Sequence, residues 1–220
     1  MAAMADDEVH GIVLAAGAAS RMGRPKALLP LGTGTVLSHV VSRLLAAPLG
    51  RVVVVLGSHA GEVRRGAGLP VADRLTLVEN AGWLEGVSTS LRCGLAACGE
   101  AAAVVVALGD QPGVDPEVVA RLAAAWRAGA PLAAPVHSGR VGHPVLFGRT
   151  LFPELRGLTG DMGAREVVRR HWGEGVAVPA PPLWDLDTEA DYRAFLEGQT
   201  PPAEGLELPS SKEDRPPRRA

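Results

Sequence analysis

The chain has 220 residues, 47% of them hydrophobic and 21% charged, with a formal net charge of −2. That balance supports one domain with a sizeable core and excludes a broad nucleic-acid-binding face, so any basic cluster acts locally. No apolar run approaches the roughly 20 residues that span a bilayer, the acidic start "MAAMADDEVH" lacks a signal-peptide core, and the two cysteines, Cys93 and Cys98, fit a reduced, cytoplasmic setting.

Residues 1–8 read as a disordered lead and 9–197 as one domain. Val9 to Ala15 is an apolar run closed by Gly17, which predicts a buried strand. Residues 35–47 place apolar side chains at helical spacing, with Thr33 or Thr35 available as a cap. Strands follow at 51–57 and 75–80, a helix at 86–99 opened by Ser88 or Thr89, and a strand at 102–110. A helix at 115–129 carries Pro116 in its first turn. This alternation predicts a parallel sheet covered on both faces. Residues 132–148 read as two short strands around Ser138-Gly139, a hairpin rather than a crossover. Helices at 148–156 and 160–171, a strand near 183–187 and a helix from Thr188 to Glu197 complete a mostly parallel, mixed sheet. Residues 198–220 are rich in proline and charge without apolar period, which predicts a disordered tail.

The chemistry concentrates where strands end. In an open parallel sheet, ligands sit beyond the carboxyl ends of the strands. The first strand runs out into Ala15, Ala16, Gly17, Ala18 and Ala19, small residues whose backbone N–H groups can approach phosphate oxygens. Arg21 offers a planar fork and Lys26 a compact, mobile charge. Of the 22 basic residues, only Lys26 and Lys212 are lysines. Neither the Walker nor the dinucleotide glycine pattern is present, and an ordinary surface loop with solvated charges would share this composition. Asp110 ends a second apolar strand, in "VVVALGDQP", and is suited to Mg²⁺ on a nucleotide or to capping the next turn. In "WDLDTEADY" Asp185 and Asp187 are expected to point to opposite faces, so that at most one aims into the site, and Asp187 could equally cap the last helix.

These residues together carry a resemblance. "LAAGAASRMGRPKALLP" resembles the signature loop of nucleotidyltransferases, and "LGDQP", "GHPVLF", "LTGDMGAR" and "DLDTEADY" narrow it to the molybdenum cofactor cytidylyltransferase-like branch. The resemblance covers roughly residues 9 to 197 and is specific in combination. It implies an α/β, Rossmann-like three-layer sandwich that transfers CMP from CTP to molybdopterin and releases pyrophosphate, with Mg²⁺ as cofactor. Leu14, Ala15, Ala16, Gly17, Ser20, Arg21 and Gly23 would surround the nucleotide, and Lys26 would contact phosphates at the reacting centre. Asp110 would hold Mg²⁺, with Asp187 as a second ligand. Asn80, Gly86, Ser88 and Ser90 would face base and ribose, and Gly142, His143 and Pro144 the acceptor. The guanylyl-transferring branch resembles "LAGG" at the loop entrance. The extra methyl of Ala16 here is expected to narrow the space beside the nucleotide and favour a pyrimidine. Rival readings are guanylyl transfer from GTP, another phosphorylated acceptor, an oxidoreductase of the same branch acting on a nicotine-derived pigment, and a non-catalytic carrier serving a molybdenum enzyme or its maturation.

Overall fold

Val52–Leu56 shows why the centre of this molecule is a parallel sheet. Its run "VVVVL" sends Val52, Val54 and Leu56 into one buried cluster and Val53 and Val55 into another. A strand apolar on both faces is stable only with a layer on each side. The computed structural model describes residues 8–17, 24–182, 184–200 and 205–207. The expected site residues Ser20, Arg21 and Gly23, the lead 1–7 and most of the tail lie outside these.

In chain order the elements are β1 (Val9–Ala15), β2 (Pro30–Leu31), β3 (Gly34–Thr35), α1 (Val36–Ala46), β4 (Val52–Leu56), α2 (Ala60–Gly66), β5 (Leu75–Glu79), α3 (Val87–Ala97), β6 (Ala103–Leu108), α4 (Pro116–Arg127), β7 (Leu132–His137), β8 (Arg140–Val141), β9 (Val145–Gly148), α5 (Phe152–Gly157), α6 (Arg165–His171), β10 (Val176–Pro179), α7 (Glu189–Leu196) and β11 (Leu206–Glu207). The main sheet runs β11-β8-β7-β9-β6-β1-β4-β5, with β10 also paired to β7. β6, β1, β4 and β5 are parallel neighbours, and β9 joins β6 antiparallel, Val106 opposite Val145. Helices α1, α2 and α4 cover one face, and α3, α5 and α6 the other. The result is an α/β three-layer sandwich with a mixed sheet and a parallel centre, consistent with the Rossmann-like expectation.

Local signals explain several boundaries. Thr35 caps α1 with a reciprocal hydrogen-bond pair to Ser38, and Asp115 caps α4 ahead of Pro116. Helix α3 begins one residue before Ser88, because Gly86 is its cap. Gly86 has φ 107°, and a Cβ there would lie 2.2 Å from the Gly160 carbonyl carbon, so only glycine fits. The hairpin at Ser138-Gly139 forms as expected, with His137 opposite Arg140. The strand expected near 183–187 does not form: 184–187 is irregular, and the strand is β10, whose "VAVP" pairs parallel with β7. Six residues of the expected tail are described, 198–200 and 205–207, and among them Leu206 pairs with Val141 and Glu207 with Arg140 along the sheet edge.

Candidate functional site

Because β1 and β6 are parallel, the loops that leave them emerge side by side, tied by the Gly109 N–H donating to the Leu14 carbonyl at 2.9 Å. Asp110 therefore stands beside the Gly17 turn. Lys26 opens a short 3-10 turn through Leu28, whose ends are closed by the Leu28 and Leu29 N–H groups. Its Nζ donates to Asp110 Oδ2 at 3.1 Å and to Asp187 Oδ1 at 2.5 Å, an arrangement joining residues 84 and 161 positions apart.

A small third core holds Asp187 there. Trp184 and Leu186 are buried with Leu29, Val36 and Tyr192, and the Tyr192 hydroxyl donates to the Pro30 carbonyl at 2.5 Å. The Leu186 N–H reaches the Asp110 carbonyl at 3.4 Å. In "WDLD" the apolar residues thus anchor the segment while the acids face the site. Oxygens of Asp110, Asp185 and Asp187 lie within 4.8 Å of one another. Both late aspartates share the site, correcting the expectation of one: positions two apart in extended chain lie on the same side. Asp187 is not the helix cap either, since Thr188 takes that role with Asp191.

Burial lowers the Lys26 pKa, but the Asp187 hydrogen bond and the Asp110 charge more than offset it, so the ammonium stands above its ordinary value and is charged. The all-oxygen donor set suits a hard divalent cation such as Mg²⁺ or Mn²⁺. Arg24 is turned elsewhere, pairing with Glu189 at 3.1 Å over the Tyr192 ring.

Two cavities are lined in part by these carboxylates, one by Asp110 and the other by Asp185. Leu14, Ala15, Gly17, Lys26 and Asp110 line the first, together with His59. His59 has no paired metal-ligand spacing in the sequence, and a lone histidine without a patterned partner gives no local signal. The second cavity is lined by Gln111, Arg140, Gly142, His143, Arg165 and Asp185, so two of the three expected acceptor residues reach it while Pro144 is buried. Burial of the His143 ring, with Arg165 adding to it, pushes its pKa down to about 4, so the ring is neutral at physiological pH. Gln111, 6% exposed, was not anticipated. Its Oε1 has no hydrogen-bond partner among the described residues, and its place next to Asp110 was the available clue.

Other expected nucleotide residues sit differently. Asn80, Ser88 and Ser90 are all buried. The Asn80 amide donates to Thr89 Oγ1 at 2.7 Å and Ser90 Oγ at 2.9 Å, so these side chains brace the wall. Ser88 Oγ is buried without a partner among the described residues, and Gly86 is pressed against Gly160. The Ala16 methyl lies against Gly57, where an added Cβ would come within 2.7 Å of it, and Ala16 is absent from the first cavity's lining. The Ala16 methyl therefore does not narrow the first cavity and gives no preference for a pyrimidine.

Residues 11–176 match the MobA-like NTP transferase domain family. The chain is 36% identical over 170 residues to nicotine blue oxidoreductase of Paenarthrobacter nicotinovorans, covering 74% of this chain and 82% of that protein. It is 42% identical over 125 residues to a molybdenum cofactor guanylyltransferase of Mesorhizobium japonicum, covering 54% and 56%. Over 191 residues it is 28% identical to the molybdenum cofactor cytidylyltransferase of Escherichia coli, covering 86% and 96%. The crystal structure of a protein from a Mycobacterium species superposes with a TM-score of 0.75 at 36% identity, covering 87% of this chain and 96% of that one. No helix among the described residues is long and apolar enough to cross a membrane. With a parallel-centred sheet, a small-residue loop beside a lysine–aspartate cluster and these matches, the chain belongs to the MobA-like NTP transferase family.

Proposed function

We propose that this protein transfers a nucleoside monophosphate from a Mg²⁺-bound nucleoside triphosphate to a phosphorylated acceptor, with CMP passing from CTP to a molybdopterin-type acceptor as the specific form. The observation that carries the reading is the Lys26 and carboxylate cluster, which gives Lys26 and Asp110 to a cavity lined by Leu14, Ala15 and Gly17, and Asp185 to one lined by Gln111, His143 and two arginines. That layout suits a triphosphate on one side and an anionic acceptor on the other. An acceptor phosphate oxygen bonds to the α-phosphorus, and the bond to the departing pyrophosphate breaks with its electron pair on that group. No general base is needed, because the acceptor oxygen is already anionic.

The cation supplies charge neutralisation at the phosphates, with Asp110, Asp185 and Asp187 as the residues that would hold it. Lys26 and Arg21 add positive charge, and the Gly17 turn lets the phosphates approach closely. Catalysis is then positioning plus electrostatic stabilisation. The test is pyrophosphate release with molybdopterin and either CTP or GTP at fixed Mg²⁺. CTP as the better donor is the outcome that the cytidylyl form requires. A preference for GTP would replace the cytidylyl form by a guanylyl one, and no pyrophosphate with either would end the transferase reading.

A second reading is favoured by the identity to nicotine blue oxidoreductase, which weighs more for that activity than for the cytidylyl form. Hydride transfer makes no use of a triphosphate-bound cation, so the carboxylate cluster favours nucleotidyl transfer. Oxidation of a reduced nicotinamide dinucleotide by a nicotine-derived pigment, unaffected by Asp110→Asn, would establish the oxidoreductase instead.

A further inference from the structure

We propose that Lys26 is a resident counter-ion of the Asp110–Asp185–Asp187 cluster, held on Asp110 and Asp187, and that a divalent cation takes those oxygens as the Lys26 ammonium swings off them. The Lys26 Nζ lies 3.1 Å from Asp110 Oδ2 and 2.5 Å from Asp187 Oδ1, within the patch where all three carboxylates converge. Mg²⁺ binds oxygen at about 2.0–2.1 Å and demands near-octahedral surroundings. A cation on these same oxygens would sit against the ammonium, and a protonated amine has no lone pair to offer as a ligand. Two cations in that space repel, so each loosens the other's hold on the shared oxygens.

The exchange needs little movement of the chain. The Lys26 backbone is held by its 3-10 turn, and the Ala27 and Leu28 side chains pack on the core. Its four-carbon stem is flexible, and the residue also lines the cavity shared with Gly17 and Asp110. Swinging out of the cluster delivers the charge into that cavity. Under the proposed function this is where the triphosphate lies, so cation entry would arm the lysine for its phosphates; that part rests on the proposed function, whereas the counter-ion role does not. By reciprocity, anything that draws Lys26 away tightens cation binding, and the converse.

Mn²⁺ is the probe, titrated onto the full chain without nucleotide and followed by the electron paramagnetic resonance of free Mn²⁺. Lys26→Met, close in size and uncharged, should tighten Mn²⁺ binding at least tenfold, within the roughly 5- to 150-fold range of ordinary coupling. Lys26→Arg, which keeps a charge in the cluster, should stay within about threefold of the parent protein, the scale expected of a small electrostatic adjustment. Lys26→Gln serves as a second neutral variant should Lys26→Met fail to fold, with the far-ultraviolet spectrum and Tm as checks. Because the chain has only two lysines, ¹³C-lysine labelling gives an independent readout. Saturating Mg²⁺ should move the Lys26 ε-carbon signal and leave that of Lys212 in place. Neutral variants that bind Mn²⁺ no more than threefold tighter, or not at all, would overturn the proposal, as would bound Mg²⁺ with an unmoved Lys26 signal. Absence of pyrophosphate release in the transfer assay would count against the proposed function and leave the Mn²⁺ result standing.

Discussion

Asp110 ends a strand in which Ala103 to Ala107 are buried, and its side chain emerges half-buried beside an ammonium. Such a carboxylate contributes to chemistry more than to packing. Asp110→Asn should lower nucleotidyl transfer by about 10²-fold or more, the scale of losing one preorganised electrostatic contact. Its Tm should stay within a few degrees of the parent, because amide and carboxylate have the same shape. Transfer kinetics and thermal melts on the same preparation check both halves. His143 makes a pH prediction. Its folded pKa of about 4 lies below the usual 6.5, so between these values the unfolded chain binds a proton that the native ring refuses. Stability is therefore full above pH 6.5 and falls as pH drops to 4, by roughly 2–3 kcal/mol from this ring. His10 and His39, also lowered by burial, act in the same direction. Urea midpoints measured from pH 7 to pH 4 should fall, and His143→Gln should flatten the slope.

At the scale of elements, the segment ahead of α7 decides whether a site exists. Leu186 is fully buried between two acids that face the cluster. Leu186→Ala should cost about 2–5 kcal/mol in urea unfolding, as large-to-small core changes do. It should also weaken Mn²⁺ binding, because Asp185 and Asp187 lose their anchor. A stability loss with Mn²⁺ affinity intact would show that the backbone contact to Asp110 suffices. On the other wall, Gly86→Ala forces a side chain at φ 107° into the Gly160 backbone. The expected loss exceeds about 1 kcal/mol, the strain of a disfavoured backbone conformation plus the displaced neighbour. Thermal melts of Gly86→Ala beside Gly82→Ala, whose added Cβ meets nothing closer than 3.5 Å, separate this clash from a general intolerance of the loop.

At the scale of the molecule, the last placed strand joins the tail to the rim of the second cavity. Leu206 pairs with Val141, Arg140 donates to the Gly205 carbonyl at 3.3 Å, and Glu207 pairs with Arg140. Ending the chain after Gly198 removes these contacts. The expected cost is about 1 kcal/mol, or a Tm lower by about 2–4 °C for a domain of this size. Mn²⁺ affinity should not change, since the described hydrogen bonds of the cluster join Lys26, Asp110 and Asp187 and none involves β11. An unchanged Tm would mean that the edge pairing adds no net stability in solution.

What the amino-acid sequence determined by itself is whatever short-range chemistry specifies. Continuous valine runs can only be strands buried on both faces, Thr35 and Asp115 announce helix starts, and Ser138-Gly139 announces a hairpin. Asp110 and Lys26 were legible as site residues because an acid ending a buried strand and a lysine in an arginine-using chain both break a local pattern. Tertiary structure alone decided the rest. β10 carries a proline and only four residues, and it becomes a strand because β7 offers an unpaired edge. Asp185 joined the cluster because Trp184 and Leu186 found a core some 150 residues back in the chain, beside Leu29 and Val36. Asn80 became part of the wall because its amide donates to the Thr89 and Ser90 hydroxyls, a pairing that forms once α3 packs beside β5. For β10 and Asp185 the deciding energy is a contact between residues far apart in sequence, and no local pattern carries information about a partner that only folding brings near.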